Sequence, residues 1–285
     1  MALLIALLAL VGSGCEQAPP VSTSVTATRV VTLAPSLAEL TFEIGAGDLL
    51  VGVSAWSDYP QAVLKLPIVG DAFAIDHEQL ALLDPDLILA WESGMPAHVV
   101  DELRQSGYRV EVIRTRSLAD ISQAILQLGT ILGRPSTAND VAAKFRDDIN
   151  HLAEQHQGAA PIRVFYQVAS RPLYTINNEH YLGDIIALCG GSNIFHDLGE
   201  LAPTIADEAV IARDPEVMLA GDKSAAEPFS EWQRWPQIAA NRYRNHFLIS
   251  SDSSSRPTPR LMIAATEICA ALEQGRDNRS RALPR

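Results

Sequence analysis

No interior stretch of this chain offers eighteen consecutive apolar residues, so its body does not read as membrane-spanning. Basic residues are scarce: 22 Lys and Arg stand against 34 Asp and Glu, a formal net charge of −12. That balance argues against a nucleic-acid holder, which needs clustered cations for phosphate. Charged residues make up only 20% and hydrophobic ones 47%, which excludes a disordered chain and supplies a sizeable core for 285 residues. Catalytic signatures are missing too. There is no GxSxG elbow, no GxxxxGKS/T phosphate loop and no HExxH helix. The seven His residues are scattered, and the closest pair, His151 and His156, lies on a charged helical stretch. The sequence therefore reads as a non-enzyme without metal or resident cofactor, and as a monomer.

What is present begins with a short apolar run, ALLIALLALV at 2–11, too brief to cross a bilayer but suited to a signal peptide. Gly12, Ser13, Gly14 and Cys15 follow, similar to a lipoprotein processing site that would make Cys15 the lipidated first residue. A plain secretory signal is the alternative. Residues 16–28 are rich in Pro, Ser and Thr and read as a flexible tether. Export places the protein outside the cytoplasm, anchored to a membrane if Cys15 carries lipid. Cys189 and Cys269 remain, an even pair in an oxidising compartment: either a bridge contributing about 4 kcal/mol or two buried thiols.

From Arg29 onward, apolar strand runs alternate with helical periodicity, which argues for mostly parallel sheets covered on both faces. Strands are expected near 29–35, 49–54, 86–91, 108–113, 162–168, 216–221 and 246–251. Ser36 and Glu39 read as a capping box, as do Ser117 and Asp120. Residues 136–158 form one long amphipathic helix between an α/β lobe at 29–135 and another at 159–274. The basic tail 275–285 is expected to be disordered. An internal echo links the lobes: EQLALLDPDLILA at 78–90 aligns without gaps on EAVIARDPEVMLA at 208–220, pairing Glu78 with Glu208.

Aromatic residues cluster at expected strand ends: Trp56 and Tyr59 after the second strand, Trp91 closing the third, Tyr174 after the first strand of the second lobe. Ligands of parallel sheets bind beyond carboxyl strand ends, so these rings can face an interlobe cleft and stack on a bulky guest. Asp252 and Arg256 follow the last strand and can bond its polar periphery. Trp232 and Trp235, by contrast, read as core.

Several ordered motifs, RVVTLAPSLAEL, VGVSAWSDYP, DPDLILAW, LCGGSNIF, SDSSSRPTPR and ATEICAAL, resemble the periplasmic cobalamin-binding receptors of ABC importers. That family belongs to the solute receptors whose two Rossmann-like lobes are joined by one long helix. The resemblance implies capture of cobalamin or a related corrinoid between the lobes and delivery to a membrane-embedded permease dimer. It implies corrinoid contacts at Trp56, Trp91, Tyr174, Asp252 and Arg256, permease docking by Glu78 and Glu208, and a Cys189–Cys269 disulfide. The chain departs from the family where Ala72 and Ala202 stand in place of Trp, with Phe73 a candidate substitute. That keeps haem or a ferric siderophore open as the guest, with a transition-metal receptor or metal-dependent enzyme a more distant reading.

Overall fold

The structure, a computed structural model, describes residues 26–72, 74–224 and 227–282. The expected signal segment with Cys15, most of the tether, Phe73 and residues 283–285 lie outside the described residues. Among those described, no helix is long and apolar enough to cross a membrane.

Two four-stranded parallel sheets organise the chain, and they have the same topology. In the first lobe, β1 (Val30–Thr32) leads through α1 (Pro35–Glu43) to β2 (Leu50–Val53). Then α2 (His77–Leu83), β3 (Leu87–Trp91), α3 (Ala97–Gln105), β4 (Val110–Ile113) and α4 (Leu118–Ile131) complete it. Its strand order is β2-β1-β3-β4. The connector α5 (Pro135–Gln155) has 21 residues, a rod of about 30 Å.

The second lobe holds β5 (Ile162–Gln167), a small hairpin of β6 (Ala169–Ser170) and β7 (Leu173–Tyr174), α6 (Tyr181–Leu188) and β8 (Gly191–Asn193). It continues with α7 (Asp207–Arg213), β9 (Val217–Gly221), α8 (Ala239–Tyr243), β10 (His246–Ile249), α9 (Ser251–Ser254) and α10 (Leu261–Ala282). Read from the other edge, its order β8-β5-β9-β10 repeats that of the first sheet.

The internal echo is structural as well as sequential. Both α2 and α7 end on an aspartate in the left-handed region, Asp84 at φ 43° and Asp214 at φ 44°. In the first lobe Arg29 donates from Nε to the Asp84 carbonyl at 3.1 Å, and its own amide donates to Asp86. In the second, Arg163 donates from Nε to the Asp214 carbonyl at 2.8 Å, and its amide donates to Glu216. Each lobe thus ties the turn after its Glu-bearing helix to its first strand with the same pair of bonds.

The lobes are not loosely tethered. One hydrophobic cluster runs from Val30, Leu87 and Ile113 through Ala142, Phe145 and Leu152 of the connector to Ile162, Val217 and Leu272. The sulfurs of Cys189 and Cys269 lie at disulfide distance, with Cα atoms 4.9 Å apart, joining the end of α6 to the middle of α10.

Three local readings are corrected. Helix α1 starts on Pro35 with no side-chain cap, so Ser36 and Glu39 form no capping box there. Ala27 is buried, and Thr28 donates from its amide and hydroxyl to Asp86, so these residues belong to the lobe and not to a tether. The basic tail is no disordered appendage up to Ala282: α10 continues through Gly275, where a Cβ would come within 2.6 Å of Val217. Arg276 then bonds the carbonyls of Ala160 and Cys189, and Arg279 bonds Pro161 and Glu216, so second-lobe carbonyls and a carboxylate hold the helix down.

Candidate functional site

A cavity of about 340 Å³ opens between the lobes at the carboxyl ends of strands β3, β5, β9 and β10. Trp91 reaches it from the first lobe, and Tyr166, His180, Gly221, Lys223 and Ser254 are among its walls in the second. This is where a sheet with order 2-1-3-4 leaves a crevice, because the connections from its central strands diverge.

Trp91 is fixed on three sides. It is the last residue of β3, its Nε1 donates to Thr115 Oγ1 at 2.8 Å, and Gly94 packs so close that a Cβ there would meet the ring at 2.3 Å. Opposite, the Tyr181 hydroxyl donates to the Ser254 carbonyl at 3.0 Å, and its ring lies 4.2 Å from that of His180. His180 caps α6: its Nδ1 accepts the Leu182 amide at 3.2 Å. Burial depresses its pKa to about 4, so the ring is neutral at pH 7. With Nδ1 accepting, the proton sits on Nε2, which makes His180 a hydrogen-bond donor and not a metal ligand while the cap holds.

Of the five expected guest contacts, Trp91 alone is among the residues that line this cavity. Tyr174 is half-buried on β7, where its carbonyl accepts the amide of Val168, a wall residue. Asp252 pairs with wall residue Lys223 at 2.7 Å. Trp56 stands in solvent, 80% exposed, with φ at 66° in the left-handed region that a tryptophan rarely adopts. Something must hold it there, and Arg256 does. That guanidinium donates to the Trp56 carbonyl at 3.1 Å, to Asp58 at 2.6 Å and to the buried carboxylate of Glu39 at 2.6 Å. The hydrogen bond from Arg256 holds the Asp58 carboxyl below the usual range, so the pair stays charged at neutral pH. Thr258 and Arg260 add donors to Glu39, and Arg260 also covers the Tyr59 ring at 3.9 Å. Arg256 follows directly on Ser254 and Ser255, both wall residues, so this network anchors the Trp56 loop beside the cavity.

A second brace lies on the other flank. The Leu118 amide at the start of α4 donates to Asp184 of α6 at 2.9 Å, and Arg116 approaches Glu179 at 3.9 Å. Two polar straps therefore span the lobes around one opening.

Glu78 and Glu208 are exposed in the first turns of α2 and α7. Each helix ends beside the start of its strand, so each first turn lies toward the strand ends where the cavity opens. Sequence reasoning missed His180, Lys223, Tyr166, Tyr181 and the serines of the wall. Only the position of His180 before an apolar helical run hinted at a cap. Ala72 is partly exposed and Ala202 exposed. Among the described residues no cluster of His, Cys, Asp and Glu suits a metal ion. Trp232 is buried as expected, donating from Nε1 to Gln167 at 2.7 Å, although it sits on a 3₁₀ turn.

Two equal lobes, a continuous core between them and a cavity at their facing strand ends define a bilobal solute receptor. The chain belongs to the periplasmic binding protein family, whose pattern matches residues 30–253. It is 33% identical over 248 residues to the vitamin B12-binding protein of Vibrio cholerae, covering 87% of this chain and 90% of that one. The corresponding protein of Pectobacterium atrosepticum is 35% identical over 253 residues, covering 86% and 88%. Among solved structures, the periplasmic vitamin B12-binding protein of Vibrio cholerae superposes with a TM-score of 0.79 at 32% identity, over 88% of this chain and 98% of that one. The periplasmic heme-binding protein HutB of Vibrio cholerae shares the fold at a TM-score of 0.73 and 22% identity, covering 86% and 98%.

Proposed function

We propose that this protein captures cobalamin or a closely related corrinoid between its lobes in the periplasm and presents it to an ABC importer. The observation that carries the reading is Trp56, a large ring kept in solvent and in a left-handed conformation beside an aromatic-walled cavity. An exposed, constrained aromatic fits a protein that stacks on a bulky apolar guest, and relatives above 30% identity bear the vitamin B12-binding name. Trp91 and Tyr174 would extend the aromatic surface, and Asp252 and Arg256 would meet polar side groups at its rim. Arg256 does so as the residue that also fixes Trp56. Capture requires no bond making, because affinity comes from apolar surface removed from water between prearranged walls.

Glu78 and Glu208 would dock on basic residues of a two-fold permease. Their matched positions support that role, and the shared core and interlobe straps support delivery with little hinge motion. Cys189 and Cys269 would form a disulfide in this oxidising compartment, and Cys15 would carry the lipid anchor of a monomeric receptor. Ala72 and Ala202 favour a second reading, in which a wider cleft takes haem or a ferric siderophore. Native mass spectrometry of the protein isolated from its host separates the two. A corrinoid mass adduct is expected, and a haem or siderophore adduct in its place overturns the cobalamin assignment.

A further inference from the structure

At the base of the second lobe, remote from the cleft, this acidic chain gathers several arginines, three of which have no acidic partner among the described residues. Arg242 and Arg244 flank the turn from α8 into β10, and Arg281 lies in the last turn of α10. Their neighbours Arg234 and Arg279 pair with Asp207 and Glu216. Arg242, Arg244 and Arg281 form no ion pair among the described residues. Even exposed Asp277, one helical turn before Arg281, does not reach it.

The three line concave surface. Two adjoining hollows of about 480 and 460 Å³ share Arg242 and Arg244. Gln233, Asn241 and His246 help form the first; Tyr243, Asn278 and Arg281 help form the second. The platform is rigid. Asn278 donates to the buried Asn245 at 2.9 Å, and Asn245 donates to the carbonyls of Glu216 and Gly275, pinning the turn to α10. Arg244 itself sits at φ 58°, a conformation that aims the chain sharply from α8 into the strand. Guanidinium groups that form no ion pair with the described residues and share one concave surface leave positive charge for an anion to neutralise.

We propose that this face binds a phosphate-type oxyanion, clamped by Arg242, Arg244 and Arg281. Guanidinium forks match phosphate oxygens in bidentate fashion, and no carboxylate among the described residues lines either hollow to compete. The site lies at the amino ends of the strands, opposite the cavity, so its occupancy is independent of guest capture.

The test is titration of the intact protein with inorganic phosphate at low ionic strength, followed by calorimetry and thermal shift. Saturable binding beyond that of chloride at matched ionic strength is expected, weakened about tenfold or more in an Arg242→Gln, Arg281→Gln variant. Co-sedimentation with vesicles containing phosphatidylglycerol, but not with pure phosphatidylcholine, forms the second arm. Vesicle binding without a phosphate response assigns the oxyanion to a lipid headgroup. Phosphate binding without vesicle binding assigns it to a soluble ligand. No saturable response in either arm, or an equal response in the variant, overturns the proposal. Both substitutions are on the surface, and an unchanged cobalamin titration of the variant shows that the fold and the cleft remain intact.

Discussion

Arg256 bonds Glu39 at 2.6 Å across the interlobe boundary, linking residues that are 217 positions apart in the chain. The Glu39 side chain is only 3% exposed and that of Arg256 only 11%, so water screens this pair weakly. One contact therefore joins the lobes and, through the Trp56 carbonyl, sets the pose of the exposed ring.

Glu39→Gln removes the charge while keeping the shape. Arg256 retains Asp58, so the loss should fall at the low end for a broken buried pair, about 3 kcal/mol. Urea unfolding measures it. A change below about 0.5 kcal/mol would show that the hub is ornamental to stability.

Trp56→Gly should separate stability from capture. Glycine adopts the left-handed region freely, whereas an ordinary residue spends about 1–2 kcal/mol there, so stability should stay within about 1 kcal/mol of the parent. Affinity for cobalamin should nevertheless fall about tenfold or more with the loss of the stacking ring. Equal affinity in the variant would place the guest elsewhere.

His180 predicts a pH dependence. Its pKa is lowered by burial from 6.5 to about 4. Between those values the unfolded chain binds a proton that the folded chain refuses, so the contribution of His180 to stability falls as pH drops through that window and is fully lost below about 4. The contribution is at most about 3 kcal/mol. His180→Asn keeps an acceptor for the Leu182 amide and should flatten this slope in unfolding curves recorded between about pH 7 and pH 4. A slope identical to the parent's would remove His180 from the account.

The docking acids give a clean functional split. A Glu78→Ala, Glu208→Ala double variant should bind cobalamin normally, since both side chains are exposed outside the cavity wall. With the cognate permease in vesicles, transport should drop steeply, because each truncated member of a desolvated charge pair removes about 2–5 kcal/mol of docking energy. Unimpaired transport would dissociate these acids from delivery.

Much of the scaffold was legible because it is local. Apolar runs located seven of the eight sheet strands and missed β8, whose Gly-Ser-Asn sequence has no apolar residue; Ser117 and Asp120 form the capping box that their spacing predicts, and the 78–90 and 208–220 segments fold into matching units. The bilobal class follows from such patterns. Glu39 was misread for the same reason: its spacing from Ser36 satisfies a local rule, while its partners Arg256, Thr258 and Arg260 come from the other lobe. The helical tail escaped because its support, the carbonyls of Ala160, Pro161 and Cys189, is backbone and leaves no compositional trace. The cavity wall was legible only at Trp91. Its serines, Lys223 and His180 carry no periodic or motif signal, and only the meeting of two sheets brings them together.

The central claim is best tested by titrating the purified protein with cobalamin while following tryptophan fluorescence. With Trp56 and Trp91 beside the guest, the account predicts saturable quenching at micromolar ligand with one equivalent bound, sharply reduced in Trp56→Gly. No quenching by cobalamin, with saturable quenching by ferric haem under the same conditions, would contradict it.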